Sequence, residues 1–190
     1  MFSFTFKNGD VIALKGFKHS EFASHETHCY EASVYFNGKR IGVVSNDGQG
    51  ASDRFDPDVK LYPLGEGKDA ESYHANAKIW RDLEVRMKSD HPQYHMEWDD
   101  SWNDMSMEVW CGEQVNKWLS HKDFKRTMKS NVVFTDPTSD DPKAIRVIGF
   151  KGTRKITPAH IAHIINKYPS YQVLNNMPEA DALAIWQEGV

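Results

Sequence analysis

The sequence predicts an α+β protein with an N-terminal antiparallel sheet of hairpins, central helices and a C-terminal ββαβα unit. Observations at the two ends of the chain carry this prediction. Near the N-terminus, apolar and polar residues alternate on both sides of Asn-Gly pairs, which is typical of β-hairpins. Near the C-terminus, short β-branched runs alternate with segments that begin at Thr-Pro or Met-Pro, and proline is favoured in the first turn of a helix.

The first third of the chain contains two predicted hairpins. Their strands and turns are, in order, residues 2–6, the turn 8–10, 11–14, 30–36, the turn 37–38 and 41–45. The Asn37-Gly38 pair favours the positive φ angles of a type I′ turn, whose twist matches that of the strands it joins. The acidic, proline-containing stretch from Asp53 to Gly67 is predicted to be a long connection.

Two helices are predicted in the middle of the chain. Residues at helical spacing favour a helix from Asp69 to about Lys88: Tyr73, Ala77, Trp80, Leu83 and Met87. The stretch 94–104 has no clear period, so we expect a loop packed by Trp98 and Trp102. A second helix is predicted over 106–120, followed by a basic turn or helix that includes Phe124 and Met128.

The last third is predicted to contain strands 132–134, 145–150 and 171–174 and helices 158–167 and 178–186. Thr157 suits an N-cap, and Pro158 suits the first helical position. The stretch Asp136–Pro142 is either a hinge or one long surface loop. The sequence therefore favours domains 1–135 and 136–190, with packing as a single domain as the alternative.

Charge is distributed unevenly along the chain, although the net charge is only −4. Between Ser45 and Trp110 there are 15 acidic and 7 basic residues, and between Val115 and Ser170 there are 4 acidic and 11 basic residues. Such segregation can steer a charged partner over a Debye length of about 8–10 Å. Opposite charge in the two regions therefore favours a binding role.

The composition is that of a globular domain, and the lack of an apolar span and of an export signal predicts a cytoplasmic location. Charged residues make up 26% and apolar residues 39%, and no stretch approaches the roughly 20 apolar residues that cross a bilayer. The N-terminus, MFSFTFKNGD, lacks a basic start and a cleavage site. Cys29 and Cys111 are expected to be free thiols, because a reducing compartment disfavours disulfides.

No familiar catalytic motif is present, so the sequence favours no catalytic residue, no cofactor and no metal. Two clusters nevertheless carry metal-binding chemistry. The first lies in the stretch from 19 to 29, but its spacing matches no structural zinc pattern: His19, His25, Glu26, His28 and Cys29. The second is interpreted as a solvated acidic loop: Glu97, Asp99, Asp100, Asp104 and Glu108.

A glycine-rich loop after the second hairpin is the local pattern most typical of a binding site. Its candidate ligand-binding residues are Ser45, Asn46, Asp47, Gly48, Gly50 and Ser52. Successive backbone N–H groups in such a loop can form a concave site for an anion. Tight turns select the same residue types for their φ angles alone, and this second interpretation is favoured.

A basic set in the last third is the second candidate binding surface. It consists of Lys122, Lys125, Arg126, Lys129, Lys143, Arg146, Lys151, Arg154 and Lys155. Such a set can contact nucleic acid phosphates or an acidic protein. The sequence has no helix-turn-helix or RNA-recognition signature, so reading of specific bases is not supported.

The stretch ASVYFNGKRIGVVSNDGQGASDRF, from Ala32 to Phe55, resembles small uncharacterised proteins encoded by phages, prophages and plasmids, in which a hairpin precedes an Asn-Asp-Gly-x-Gly loop. The C-terminal segments ITPAHIAHIINKYP and VLNNMPEADALAIW resemble the end of the same proteins. The resemblance covers about half the chain. It implies a mobile-element protein in the bacterial cytoplasm that binds a host or defence component.

Three functions are carried forward from the sequence. The leading hypothesis is a non-enzymatic interaction protein that binds a host or defence protein through its charged surfaces. The first alternative is nucleic-acid association through the basic set. The second alternative is a metal-dependent or small-ligand enzyme that uses the stretch from His19 to Cys29 or the loop from Ser45 to Ser52.

Overall fold

The secondary structure confirms the α+β class. The structure, a computed structural model, describes residues 2–59, 70–96, 100–152 and 154–189. The strands are β1 (Ser3–Thr5), β2 (Val11–His19), β3 (Tyr30–Phe36), β4 (Lys39–Asn46), β5 (Arg54–Pro57), β6 (Tyr94–Met96), β7 (Ser101–Asn103), β8 (Asn131–Thr135), β9 (Arg146–Gly149) and β10 (Gln172–Val173). The helices are α1 (Ala70–Asp90), α2 (Met107–Ser130), α3 (Pro158–Lys167) and α4 (Glu179–Glu188).

The chain forms two compact units, Met1–Trp118 (unit 1) and Leu119–Val190 (unit 2), and α2 contributes residues to both. Unit 1 contains 20 acidic and 13 basic residues, a net charge of −7, and unit 2 contains 7 and 10, a net charge of +3. The division into domains 1–135 and 136–190 stays a prediction, because a compact unit need not fold as a separate domain. Among the described residues, no helix has both the length and the apolar character that crossing a membrane requires.

Unit 1 contains a five-stranded antiparallel sheet with strand order β1-β2-β3-β4-β5. The predicted hairpins are its first four strands. Asn37 and Gly38, between β3 and β4, have φ angles of 47° and 79°, as the predicted type I′ turn requires. Asparagine and glycine are the residues that adopt such angles most readily, so the local sequence determines this hairpin.

The fifth strand corrects the prediction that 53–67 is a connection. Arg54 and Asp56 are exposed while Phe55 and Pro57 are half-buried, which is the alternation of an edge strand. The Phe55 ring stacks on Trp80 of α1 with its centroid 4.3 Å away. Proline is tolerated in β5 because an edge strand need not donate every backbone N–H group. Residues 60–67 of the predicted connection lie outside the described residues.

The middle of the chain departs from the prediction in two places. Residues 107–130 form one helix rather than a helix to Ser120 and a separate basic turn, and Phe124 is buried in its second half. The predicted loop 94–104 contains the two-stranded hairpin β6–β7. Trp102 is 66% exposed, so the expectation that it packs this region is wrong, and Trp98 lies outside the described residues.

The helix α1 buries Leu83 and Met87 as predicted, but Tyr73, assigned to the same face, is 44% exposed. Asn76 is buried in its place. The Asn76 amide donates a hydrogen bond to the backbone carbonyl of Asp58 (2.8 Å), which offsets the cost of burying a polar side chain.

Unit 2 is a three-stranded antiparallel sheet, with strand order β10-β8-β9, between helices on both faces. On one face, Val133 packs with Phe124 of α2 and with Ala182 and Trp186 of α4. On the other face, Val132 and Phe134 pack with Ile164 of α3 and Val173 of β10. The central strand β8 therefore reads as a continuous apolar run because both of its faces are covered.

The helix α3 begins where the sequence predicts. Thr157 is its N-cap, with extended backbone, and Pro158 is its first helical residue. The backbone N–H of Thr157 donates a hydrogen bond to Nδ1 of His160 (3.1 Å). A side chain of the first helical turn thus provides an acceptor for the N-cap residue, as in a capping box.

Candidate functional site

A polar pair lies on the buried face of the unit 1 sheet. Tyr30 and Asn46 are direct partners in the β3–β4 ladder, at the opposite end of that ladder from the type I′ turn. Because side chains alternate across a strand, the pair shares its face with the buried Ala32, Val34 and Val44. Tyr30 and Asn46 are only 6% and 9% exposed. Their polar groups therefore need partners within the protein.

These partners come from one carboxylate and two neighbouring segments. The Tyr30 hydroxyl donates a short hydrogen bond to Oδ2 of Asp53, which lies just before β5. Nδ2 of Asn46 donates to Oδ1 of Asp53 (3.0 Å) and to the carbonyl of Ala51 (2.8 Å). Oδ1 of Asn46 accepts from the Thr27 hydroxyl (2.7 Å) and from the backbone N–H of Gly48 (2.8 Å). The Asn46 amide thus uses its full capacity of two donors and two acceptors.

The electrostatics of this network disfavour negative charge. Burial raises the pKa of Asp53, and the Glu108 carboxylate raises it further, against the lowering effect of the hydrogen bonds from Tyr30 and Asn46. Burial is also the main reason that the pKa of Tyr30 is raised. Cys111 of α2 is fully buried, and burial together with the charges of Asp53, Glu84 and Glu108 raises the pKa of its thiol. The Tyr30 hydroxyl and the Cys111 thiol therefore stay protonated at physiological pH.

A cavity of about 210 Å³ adjoins the network, and we call it the Asp53 cavity. Its lining residues are Thr27, His28, Tyr30, Asn46, Asp53, Glu108, Gly112 and Val115. Glu108, Gly112 and Val115 follow one another at spacings of four and three along α2, so they share one face of that helix. Nε2 of His28 is 2.7 Å from Oδ1 of Asn116, which holds the imidazole at one side of the cavity.

The predicted glycine-rich loop packs against the histidine-containing stretch. The carbonyl of Gly48 accepts hydrogen bonds from the backbone N–H groups of His25 (3.0 Å), Glu26 (3.0 Å) and Thr27 (3.4 Å). Gly48 has a φ angle of +84°, and a Cβ atom there would lie 2.1 Å from the carbonyl oxygen of Ala23. Glycine is therefore required at this position for two independent reasons.

Three consecutive backbone donors at the centre of the loop have partners within the protein. The N–H of Gly48 donates to Asn46, that of Gln49 to Asp47 (3.1 Å) and that of Gly50 to the Thr27 hydroxyl (3.4 Å). Turn formation thus explains the sequence of the loop without a bound anion.

Most of the predicted ligand-binding residues line one shallow cavity of about 410 Å³: Ser45, Asn46, Asp47 and Ser52, together with Ala51 and Arg54. Gly48 and Gly50 are not among its lining residues. Arg54 makes an ion pair with Asp56 (2.8 Å), which offsets its charge. A ligand for this loop stays a prediction.

The histidine-containing stretch brings two imidazoles together but gathers no metal-binding set. The rings of His19 and His28 have centroids 5.5 Å apart, and the Ser24 hydroxyl lies 3.3 Å from Nε2 of His19. Cys29 and Cys111 are both free. In the part of the chain that the structure describes, no group of three or more His, Cys, Asp or Glu side chains could hold a metal ion.

The acidic stretch 97–108 is dispersed over several local contacts. Asp100 lies 2.8 Å from Nε2 of His95, and Asp104 accepts a hydrogen bond from Gln93 (2.8 Å). Glu108 lines the Asp53 cavity. Glu97 and Asp99 lie outside the described residues.

Eight of the nine residues of the basic set divide into a paired and an unpaired group. Lys125 pairs with Glu179 (3.1 Å), Arg126 with Asp123 (3.1 Å) and Lys143 with Glu188 (3.2 Å). Five others make no ion pair with any residue that the structure describes, and we call them the basic edge: Lys129, Arg146, Lys151, Arg154 and Lys155. All five are exposed.

The basic edge surrounds β9 and the end of α2. Arg146 is the first residue of β9, and Lys151, Arg154 and Lys155 follow the strand. The backbone N–H of Ile156 donates to the carbonyl of Lys129 (3.1 Å), which places Lys129 beside Lys155.

The Asp53 cavity was not anticipated from the sequence. Tyr30, Asp53 and Glu108 are far apart along the chain and follow no known motif. A usable signal was the polar Asn46 directly after the predicted strand 41–45, where the alternation of that strand places it on the same side as Val44 and a polar residue there requires a buried partner.

Comparisons with known proteins add no assignment. No protein-family model matches the chain, and searches of curated proteins and of solved structures found no significant match. The functional argument therefore depends on the geometry and charge of the two units.

Proposed function

We propose that this protein is a non-enzymatic interaction protein that binds an acidic segment of a partner protein at the basic edge of unit 2. One observation carries the proposal. Three of the cations in unit 2 are paired with carboxylates, whereas the five cations of the basic edge have no ion-pair partner among the described residues. Exposed like charges without ion-pair partners raise the local potential and attract an opposite charge.

The strand β9 supports a protein partner over a nucleic acid. Among the described strands, β9 is hydrogen-bonded on one side only, to β8. Val147 in its middle is 47% exposed. An open strand edge offers backbone hydrogen bonds to an extended peptide, and an exposed apolar side chain offers a contact that phosphates do not use.

The sign of the charge determines the kind of segment that fits. Lys151, Arg154 and Lys155 lie beyond the end of β9, and Arg146 lies at its start. A strand that carries Asp or Glu residues can pair with the β9 backbone and place carboxylates beside these cations. Following the resemblance to phage and plasmid proteins, we propose a bacterial host or defence protein as the source of this segment.

Affinity capture from bacterial lysate with charge-reversed variants tests the proposal. The test variant carries Lys151→Glu, Arg154→Glu and Lys155→Glu. The matched control carries Lys39→Glu, Arg81→Glu and Lys88→Glu, which change the net charge equally but lie in unit 1. We expect a captured protein to be retained by the wild type and the control and to be lost by the test variant.

The captured protein must then bind when purified, with at least a tenfold weaker Kd for the test variant and with affinity that falls as salt rises. Equal retention of the captured protein by both triple variants would show that the basic edge does not bind the partner. A labelled DNA or RNA duplex bound with steep salt dependence, and only by proteins with an intact basic edge, would replace the proposal with nucleic-acid association.

A further inference from the structure

All lining residues of the Asp53 cavity belong to unit 1, whereas all residues of the basic edge belong to unit 2. Its volume of about 210 Å³ is bordered by β3, β4, the chain before β5, the chain before β3 and one face of α2, and it is open to solvent at the exposed Glu108. Liquid water takes roughly 30 Å³ per molecule, so the cavity has the volume of roughly seven waters. This volume is below the usual range for drug-sized ligands and suits a small molecule.

The charges around the cavity are predominantly negative. Asp53 and Glu108 both line it, and none of its described lining residues is a lysine or arginine. The Asp53 carboxylate receives hydrogen bonds from the neutral groups of Tyr30 and Asn46. The negative charge of Glu108 acts unfavourably on the Asp53 carboxylate. A positively charged ligand between the two carboxylates would relieve this repulsion.

The unused hydrogen-bonding capacity at the cavity consists of acceptors. Each Asp53 oxygen accepts one hydrogen bond, while a carboxylate oxygen has two lone pairs. The Thr27 hydroxyl gives its proton to Asn46, so its oxygen acts towards other groups as an acceptor. The donors of the network, namely the Tyr30 hydroxyl and the Asn46 amide, are already used within the protein. A ligand here must bring donors.

We propose that the Asp53 cavity binds a primary ammonium group, which donates its N–H bonds to the carboxylates of Asp53 and Glu108. The alkyl part of the ligand lies against Val115 and the open backbone at Gly112. Tyr30 and Asn46 are positioning residues, because each holds one oxygen of the Asp53 carboxylate. An ammonium group supplies three donors and one positive charge, which matches the acceptors and the charge of the site.

An anion and a metal ion both fit the cavity less well. Two carboxylates repel an anion, and the lining residues offer no cationic side chain other than His28. A metal ion needs three or more convergent ligands, and the described residues contain no such group. An alkylammonium ion instead uses both the acceptors and the apolar wall.

Titration of the full-length protein with n-butylammonium, followed by amide NMR signals, tests the inference. We expect saturable shifts at residues that line the cavity. Two probes of similar size serve as controls: 1-butanol, which lacks the charge, and tetramethylammonium, which has the charge but no N–H group. Binding of either control as tightly as n-butylammonium would overturn the proposal.

Three variants locate the site. Asp53→Asn keeps the shape of the side chain, and Glu108→Gln keeps the shape of an exposed side chain in the first turn of α2, so we expect both proteins to fold. Each is expected to weaken n-butylammonium binding at least tenfold. Gly112→Leu adds an apolar side chain to the cavity lining at a position where a Cβ atom has no neighbour within 4 Å, and it should weaken binding by occupying the cavity.

The matched control is Asp56→Asn, which removes one charge from an exposed position of β5, three residues after Asp53 in sequence but outside the cavity. It should bind n-butylammonium within about twofold of the wild type, since its charge is screened by solvent. Unchanged binding by both Asp53→Asn and Glu108→Gln would refute the assignment.

A second arm identifies the source of the ammonium group. N-acetyl-lysine amide presents the same group at the end of a side chain. If it binds as well as n-butylammonium, the cavity accepts a lysine of another protein, and if it does not bind, the cavity accepts free amines only. Either result upholds ammonium recognition, whereas failure of both probes to bind overturns it. Neither result depends on the basic edge, so the two proposals can fail separately.

Discussion

Replacing Gly48 by alanine should destabilise unit 1 strongly, because two effects act at this position. The φ angle of +84° costs an L-residue about 1–2 kcal/mol. The new Cβ atom would also lie 2.1 Å from the carbonyl oxygen of Ala23, so the loop must move away from the stretch 25–27. Weakening one or two of the hydrogen bonds to the Gly48 carbonyl, at about 1 kcal/mol each, brings the expected loss to about 3 kcal/mol.

Gly112→Ala is the matched control for this substitution. Both changes remove the same backbone freedom from the unfolded chain, so that contribution cancels in the comparison. Gly112 lies within α2, and its Cβ atom would meet nothing within 4 Å. Alanine is favoured over glycine in a helix by about 1 kcal/mol, so this variant should be stabilised.

Urea unfolding, followed by the amide NMR signals of unit 1, measures both effects. The two variants should differ by about 4 kcal/mol in the free energy of unfolding, with opposite signs relative to the wild type. A Gly48→Ala protein within about 0.5 kcal/mol of the wild type would refute the reasoning. It would mean that the loop and the histidine-containing stretch do not constrain each other.

Two further predictions concern titrating groups. The stability of the wild type relative to Asp53→Asn should rise as pH falls towards the ordinary value of 3.8, because a raised pKa means that the fold disfavours the ionised carboxyl. Urea unfolding of both proteins at several pH values measures this difference, and a relative stability of the wild type that falls in acid contradicts it. Hydrogen bonds from Asn37, Asn8 and Arg86 lower the pKa of Asp10 to about 2. Asn37→Gly keeps the turn and removes the largest of these contributions, so carbon NMR titration should give a higher Asp10 pKa, and an unchanged value would contradict the assigned cause.

The elements that sequence reasoning located are those set by local chemistry. The hairpin at Asn37-Gly38 follows from the φ preferences of two adjacent residues, and the start of α3 follows from Thr157-Pro158. Neither depends on tertiary contacts. Local signals of this kind are reliable because the same residues decide the structure in any context.

The elements that sequence reasoning missed depend on partners far along the chain. The strand β5 forms in an acidic, proline-containing stretch because it pairs with β4 and because Phe55 stacks on Trp80. The helix α2 continues past Ser120 because Phe124 packs against unit 2 residues from α4, more than fifty positions later. Periodicity over a short window cannot register such contacts.

Only part of the candidate site could be predicted from the sequence, for the same reason. The loop from Ser45 to Ser52 was recognised by its glycines, but its partner carboxylate and the Tyr30 hydroxyl are 23 residues apart in sequence. The hydrogen bond between Tyr30 and Asp53 depends on the β3–β4 register and on β5, which was not predicted. The uneven distribution of charge could be counted from the sequence. The ion pairs that neutralise Lys125, Arg126 and Lys143 but not the basic edge could be identified only from side-chain positions.

The saturated amide of Asn46 has a consequence for tracing this protein's relatives. Aspartate at that position would turn two donors into acceptors facing the Ala51 carbonyl and the Asp53 carboxylate, so no side chain of equal shape can substitute. Together with Gly48, this gives the signature Tyr-x15-Asn-x-Gly-x4-Asp, from Tyr30 to Asp53. A distant sequence that keeps these four residues at this spacing should keep the same network, even where the rest of its chain has diverged.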